Sequence, residues 1–129
     1  LTRNGLASMN AHNTIYVVTP ELDANGQLLF RDNLQPMVRG KHVLILMASA
    51  TTGITIRKSA ECVQYYGGEV AGMCAIFSAV KQAEGHEVHA VFHLEDVPEY
   101  QSFAPHDCPL CKAGMPIEAL VNSFGYSKL

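Results

Sequence analysis

The run Val43-Leu44-Ile45-Leu46-Met47 constrains the fold more than any other feature of this chain. It is apolar without alternation, the pattern of a strand buried on both faces of a parallel sheet. A stretch of small and hydroxyl residues follows it, Ala48-Ser49-Ala50-Thr51-Thr52-Gly53-Ile54-Thr55. From Thr55 a helical pattern begins, with Ile56, Ala60 and Val63 on one face and Arg57, Lys58, Glu61 and Gln64 on the other. Gly67-Gly68 supplies the stop. Glu69 to Phe77 and Glu87 to Leu94 read as further strands, and residues 81–86 between them as a polar link containing Gly85. Strand, helix, strand in one run is a βαβ unit, so the expected class is α/β with a parallel sheet.

The flanks read differently. Residues 1–13 look like the tail of a helix entering a loop. Ile15-Tyr16-Val17-Val18 reads as a strand ended by Thr19-Pro20. Asn25-Gly26 is a turn dipeptide, with Leu28-Leu29-Phe30 as the return strand of a hairpin. Residues 95–116 are rich in proline and irregular, and Pro116 suits the first turn of a short helix through Ser123, ended by Gly125.

Composition narrows the partners. The chain has 129 residues, 48% hydrophobic and 16% charged, which suits one globular domain. Its formal net charge is −3 and its Lys and Arg are scattered, so no basic stripe exists to follow a nucleic-acid backbone. No apolar run is long enough for a membrane helix, and the sequence does not open on a charged n-region with an apolar h-region, so no secretory signal is expected. Four cysteines, two of them in a C-x-x-C, fit a reducing compartment. Cytoplasm is therefore the expected location. Leu1 is not an initiator Met, and the expectation is the C-terminal part of a longer domain.

The junction of strand, loop and helix carries the chemistry. Amides at a helix N-terminus lack helical acceptors, and the helix dipole adds about half a positive charge there. Thr51, Thr52 and Thr55 add hydroxyls, and Gly53 permits close backbone approach. With Ser49, Ala50 and Ile54, these residues form a candidate phosphate cradle beyond the carboxyl end of a strand. Spacing alone leaves a second reading open, an ordinary βα turn with a Thr N-cap and no ligand.

The stretch resembles the phosphoribosyl-pyrophosphate motif of the type I phosphoribosyltransferases: an apolar strand, two acids, two mostly apolar residues, then Thr-Thr-Gly-Gly-Thr/Ser. The chain matches it at Val43 to Leu46 and at Thr51, Thr52, Gly53 and Thr55. Residues 107–116, Asp-Cys-Pro-Leu-Cys-Lys-Ala-Gly-Met-Pro, are similar to a segment of many orotate phosphoribosyltransferases. The resemblance implies a Rossmann-like phosphoribosyltransferase fold, seen here in its later half with no evident hood region. It also implies phosphoribosyl pyrophosphate or a nucleotide monophosphate as ligand, Mg²⁺ as cofactor, and a homodimer.

The departures from that family are chemical. Met47 and Ala48 stand where the family has the two acids that hold the ribose hydroxyls. Ile54 replaces the second Gly, which narrows the loop, and Ser78-Ala79 fall near an expected Asp-Arg. The region matching the family's mobile loop, residues 19–33, offers Arg31 but no Lys or His. Losing one electrostatic contact of this kind typically costs about 2.7–4 kcal/mol of barrier, so several losses predict impaired transfer. The alternative is a non-catalytic regulatory protein that binds a nucleotide or sugar phosphate, or a structural subunit.

Cys108 and Cys111 have the spacing of half a zinc site, with His106 nearby. Structural zinc wants four ligands and there is no second C-x-x-C, so zinc is not expected. Cys62, Cys74, His89 and His93 are the distant partners such a site would need, while His12, His42 and His86 read as surface or loop residues.

Overall fold

The computed structural model describes residues 14–122 and 124–129. Their contacts fall into two units that part after Pro98.

The first unit opens with a hairpin, β1 (Glu21–Leu22) against β2 (Leu28–Leu29). The turn is built as the Asn-Gly signal predicts. The Asp23 carboxylate accepts from the amides of Asn25 at 2.9 Å and Gln27 at 2.7 Å, and Gly26 takes the left-handed conformation with φ 74°. Lys58 reaches back to donate to the Gly26 carbonyl at 2.9 Å, tying the turn to the helix described next.

β3 (His42–Ala50), α1 (Ile54–Tyr65) and β4 (Glu69–Ser78) form the βαβ unit, with β3 and β4 parallel. β5 (Gln82–Ala83) turns back onto β6 (His86–His93), and β6 lies parallel to β4. The sheet order is β3-β4-β6-β5. The expected class, α/β with a mostly parallel sheet, is what the chain adopts.

One face of the sheet packs on α1. Ile45, Val70, Met73, Ala75 and Val88 from the strands meet Ile56, Ala60, Cys62 and Val63 from the helix, and all are buried. Burying a side chain such as Ile56 or Met73 contributes about 1.5–3 kcal/mol relative to leaving it in water. The helix stops where its glycines sit. Gly67 has φ 76°, and a Cβ built on Gly68 would lie 2.9 Å from Val63 Cγ1 and 3.1 Å from the Val38 carbonyl oxygen. The chain leaves the helix so close to the core that only glycine fits.

Three expectations are corrected here. The Val43–Met47 run is not buried on both faces: Ile45 is buried but Leu46 is 68% exposed. The register sets Leu46 beside Cys74, and Ile76 and Val91, both exposed, are neighbours on the same side. Continuous apolarity marked the strand but not the number of layers covering it. Ile15 to Val18 forms no strand, and Val17 is 94% exposed. Val18 packs against the core, but Ile15 and Val17 are exposed and the run pairs with no strand among the described residues, and β propensity acts largely through paired neighbours. Residues 81–86 are more than a polar link, since they hold β5 and a tight turn with Glu84 and Gly85 both at positive φ.

The second unit, from Glu99, contains the one-turn helix α2 (Pro109–Lys112) and a hairpin, β7 (Ala119–Asn122) with β8 (Gly125–Lys128). The expected helix from Pro116 to Ser123 is therefore overturned for its described residues. Leu120 pairs with Ser127 and Val121 with Tyr126. A helix that short bears the full nucleation cost for few hydrogen bonds, while a hairpin satisfies two strands at once. The helix tail expected over residues 1–13, and Ser123, lie outside the described residues.

Candidate functional site

β3 runs to Ala50, and residues 51–53 bend into α1. Gly53 is the N-cap, left-handed at φ 75°, ψ −5°. An L side chain is costly in that conformation, so the glycine is required by the turn itself. The Arg57 amide makes the first helical bond, to the Gly53 carbonyl at 3.0 Å. The amides of Ile54, Thr55 and Ile56 precede that bond and have no helical acceptor. No side chain caps the helix closely; the Ile54 amide and Thr52 Oγ1 are 3.5 Å apart.

The loop encloses a hollow of about 140 Å³ lined by Ser49, Ala50, Thr51, Thr52, Gly53, Thr55 and Ile56. Six of the seven predicted loop residues therefore come together around one space. Ile54 does not line it; its side chain is half exposed and points elsewhere, so it leaves this hollow open. Donors from amides and hydroxyls with a helix N-terminus behind them are the chemistry that stabilises an anion.

The floor of the loop is held from the next strand. The Ala79 amide donates to the Ala50 carbonyl at 2.8 Å. Ser78 is fully buried and its hydroxyl donates to the Val80 carbonyl at 2.6 Å, so it is spent inside the turn. Val80 then lies beside Gly53, 3.5 Å from the position of an added Cβ. A second hollow of about 240 Å³ adjoins the first through Thr52 and Gly53, with Arg57, Val80, Gln82, Ala83 and Glu84 completing it. Sequence reasoning missed these residues. Gly85 was the available signal, since a glycine beside a polar residue in a short link marks the tight turn that carries Gln82 to Glu84 there.

The positions of Met47 and Ala48 diverge. Met47 packs against the core beneath the sheet, while Ala48 is exposed on β3. Neither offers an oxygen. Arg31 is committed elsewhere: its guanidinium is bidentate on Glu21, Nε to Oε1 at 2.6 Å and Nη2 to Oε2 at 2.7 Å. Lys58 is engaged with the hairpin turn, which leaves Arg57 as the cation lining the second hollow.

Mg²⁺ takes hard oxygen ligands, usually including carboxylates. The side chains lining the first hollow bring hydroxyls and no carboxylate, and those of the second bring a single carboxylate, Glu84. Among the described residues no three His, Cys, Asp or Glu side chains gather for a metal. The residues present do not fit a protein-held Mg²⁺ at this loop. His106, Cys108 and Cys111 are close in the chain, yet they form no such group either. Among the described residues no helix is long and apolar enough to cross a membrane.

A mostly parallel four-stranded sheet with a loop leading into a helix at its carboxyl edge is consistent with the type I phosphoribosyltransferase fold. Comparison with known proteins gives the particular relatives. The chain is 35% identical over 100 residues to the orotate phosphoribosyltransferase of Thermus thermophilus, covering 76% of this chain and 52% of that one. It is 35% identical over 80 residues to that of Caldicellulosiruptor bescii (60% and 40%) and 31% over 112 residues to that of Thermotoga maritima (80% and 58%). No family model matches. The chain is a distant homologue of the orotate phosphoribosyltransferases and belongs with the type I phosphoribosyltransferases. It spans about half the length of these relatives.

Proposed function

We propose that the Thr51–Thr55 loop binds the phosphate of a phosphoribosyl compound, phosphoribosyl pyrophosphate or a nucleotide monophosphate, and that this chain transfers the phosphoribosyl group poorly. The observation that carries the reading is the split between the two halves of the motif. One hollow is lined by Ser49, Thr51, Thr52 and Thr55 at the N-terminus of α1, which supports an anion there, while Met47 and Ala48 bring no carboxylate to the positions of the family's two acids.

The split matters because the two halves serve different steps. A phosphate is held by donors, which the loop has. Transfer to a nucleobase breaks the bond between the ribose C1 and the diphosphate, so the leaving group gathers negative charge as the nitrogen attacks. That charge needs cations or a metal placed against it. Arg31 is held by Glu21, and Arg57 shares the second hollow with a carboxylate, Glu84. The same facts favour the second reading, a regulatory protein that senses a nucleotide or sugar phosphate without turning it over.

Calorimetry with phosphoribosyl pyrophosphate, orotate and nucleotide monophosphates, with and without Mg²⁺, tests both. The expected result is heat from the phosphorylated ligands and little change on adding Mg²⁺. Binding of orotate alone with no phosphate affinity would sink the proposal. Cytoplasmic location and pairing of two copies belong to the same reading, and sedimentation across a concentration range tests the pairing.

A further inference from the structure

The cysteine pair of the second unit takes no part in that proposal. Cys108 is the N-cap of α2 and Cys111 lies within its single turn. The turn is fixed at both ends. Pro109 occupies its first position. At the other end Gly114 is left-handed at φ 68°, its amide donates to the Cys111 carbonyl at 3.1 Å, and the Met115 amide donates to the Leu110 carbonyl at 3.0 Å. This pair of bonds is the Schellman closure, which stops a helix firmly. Both thiols are free, Cys108 half-buried and Cys111 exposed.

Residues three apart on a helical turn have Cβ atoms about 5–6 Å apart, against about 3.5–4.5 Å across a disulfide. A small closure suffices to bridge them. We propose that Cys108 and Cys111 form a redox-active dithiol that exchanges with low-molecular-weight disulfides, Cys108 attacking first and Cys111 resolving.

The order follows from what faces each sulfur. Cys108 stands at the N-terminal end of the turn, where the backbone of Cys111 first, then the Cys111 thiol and the backbone of Leu110, favour its thiolate and hold its pKa below the usual thiol value. Cys111 keeps its proton beside the Cys108 sulfur, and its own pKa is raised by that side-chain interaction and by the Cys108 charge. The thiolate is the nucleophile in exchange, so Cys108 begins. Its sulfur attacks one sulfur of R–S–S–R, the S–S bond breaks, and RS⁻ leaves and takes a proton. Cys111 then loses its proton to solvent and attacks the Cys108 sulfur, expelling the second RS⁻, which is also protonated. The protein gives up two electrons and two protons, and the oxidant becomes two thiols. The other cysteines serve as internal controls, because Cys62 is buried in α1, where burial raises its thiol pKa, and Cys74 is half-buried in β4.

Glutathione buffers of graded oxidation, acid quenching, alkylation and peptide mass spectrometry test this on the full chain. The expected result is joint loss of the Cys108 and Cys111 thiols, with their peptide lighter by two hydrogens, while Cys62 and Cys74 still alkylate. Cys111→Ser should accumulate a glutathione adduct on Cys108, and Cys108→Ser should form markedly less adduct at Cys111. Equal adduct formation in the two variants would overturn the order of attack. Absence of the intramolecular disulfide in the unaltered chain under fully oxidised glutathione would overturn the proposal, whatever the variants do. So would a tightly held zinc that protects both thiols, since the pair would then be a metal site. Circular dichroism confirms that each variant is folded, with Cys111→Ala as the substitute if Cys111→Ser is not.

Discussion

Arg31 and Glu21 close the ends of the first hairpin with two parallel hydrogen bonds, Nε to Oε1 at 2.6 Å and Nη2 to Oε2 at 2.7 Å. The hydrogen bond from Arg31 holds the Glu21 carboxyl below the usual carboxylate range. A carboxyl whose pKa is lower in the folded chain stabilises it above the unfolded pKa and loses that effect as pH falls through the folded one. Glu21→Gln should therefore lower the melting temperature slightly at pH 7 and by less at pH 3. Thermal melts of both proteins at the two pH values measure this, and an unchanged difference would mean the pair does not govern hairpin stability. Both groups are exposed, so the effect at pH 7 should shrink as salt is added.

The missing acids give a second prediction. Turnover of orotate should lie below about 1 per second, the lower end of the ordinary enzyme range. Restoring carboxylates should raise affinity for phosphoribosyl pyrophosphate and make it depend on Mg²⁺. The two positions will not respond alike. Ala48 is exposed, so Ala48→Asp adds a solvated carboxylate at little cost. Met47 packs against the core, so Met47→Glu puts a charge among apolar neighbours and should destabilise the fold. The single variant Ala48→Asp is the cleaner test, with the double variant Met47→Glu and Ala48→Asp read only where it remains folded. No gain in Mg²⁺-dependent binding would show that the acids are not the main defect.

The exit from α1 gives a third. Gly68→Ala places a methyl 2.9 Å from Val63 Cγ1 and 3.0 Å from Val38 Cγ1. Val38 is fully buried and the Val38 carbonyl oxygen is also within 3.1 Å, so the backbone must shift. Overpacking of this kind typically costs about 1–3 kcal/mol. Urea unfolding should show a lower midpoint for Gly68→Ala than for Gly26→Ala, whose Cβ would meet nothing within 4 Å and whose penalty is backbone strain alone. Equal midpoints would mean the helix exit relaxes until its cost is no larger than the backbone strain at Gly26.

The sequence made the βαβ unit and its loop legible because each carried its own local signal. Val43 to Met47 marked a strand, Ile56, Ala60 and Val63 a helix face, and Gly67-Gly68 the stop. Tertiary facts were not legible. Whether Leu46 is covered depends on what lies over the sheet, and nothing in the run itself encodes that. Ala119 to Lys128 became a hairpin because Val121 and Tyr126 pair across it, a relationship of register and not of composition. At the site, Thr51 to Thr55 were contiguous and could be read together, whereas Gln82 and Glu84 reach the second hollow only through the β5–β6 turn. Arg31 was found in sequence, but its engagement with Glu21 could only be seen in space.

The loop itself gives the last prediction. Gly53 holds φ 75° at the N-cap of α1, and the space beside it admits a Cβ, which would sit 3.5 Å from Val80 Cγ1 in ordinary contact. Sterics against neighbours are therefore not the obstacle to a side chain at this position. The obstacle is the left-handed backbone, which costs an L residue about 1–2 kcal/mol and a β-branched residue more. Gly53→Val should release that strain by turning the loop, and the amides of Ile54 and Thr55 would turn with it. Thr51→Ala removes one hydroxyl and leaves the backbone alone. A neutral hydrogen bond contributes about 0.5–1.5 kcal/mol, so Thr51→Ala should weaken phosphate or nucleotide binding by up to about tenfold. Gly53→Val should weaken it further, while far-ultraviolet circular dichroism shows the helix intact. Titration of inorganic phosphate and of a nucleotide monophosphate against both variants decides the matter. If Thr51→Ala is the more damaging, hydroxyls and not amides hold the anion; if neither variant changes binding, the loop is only a turn between strand and helix.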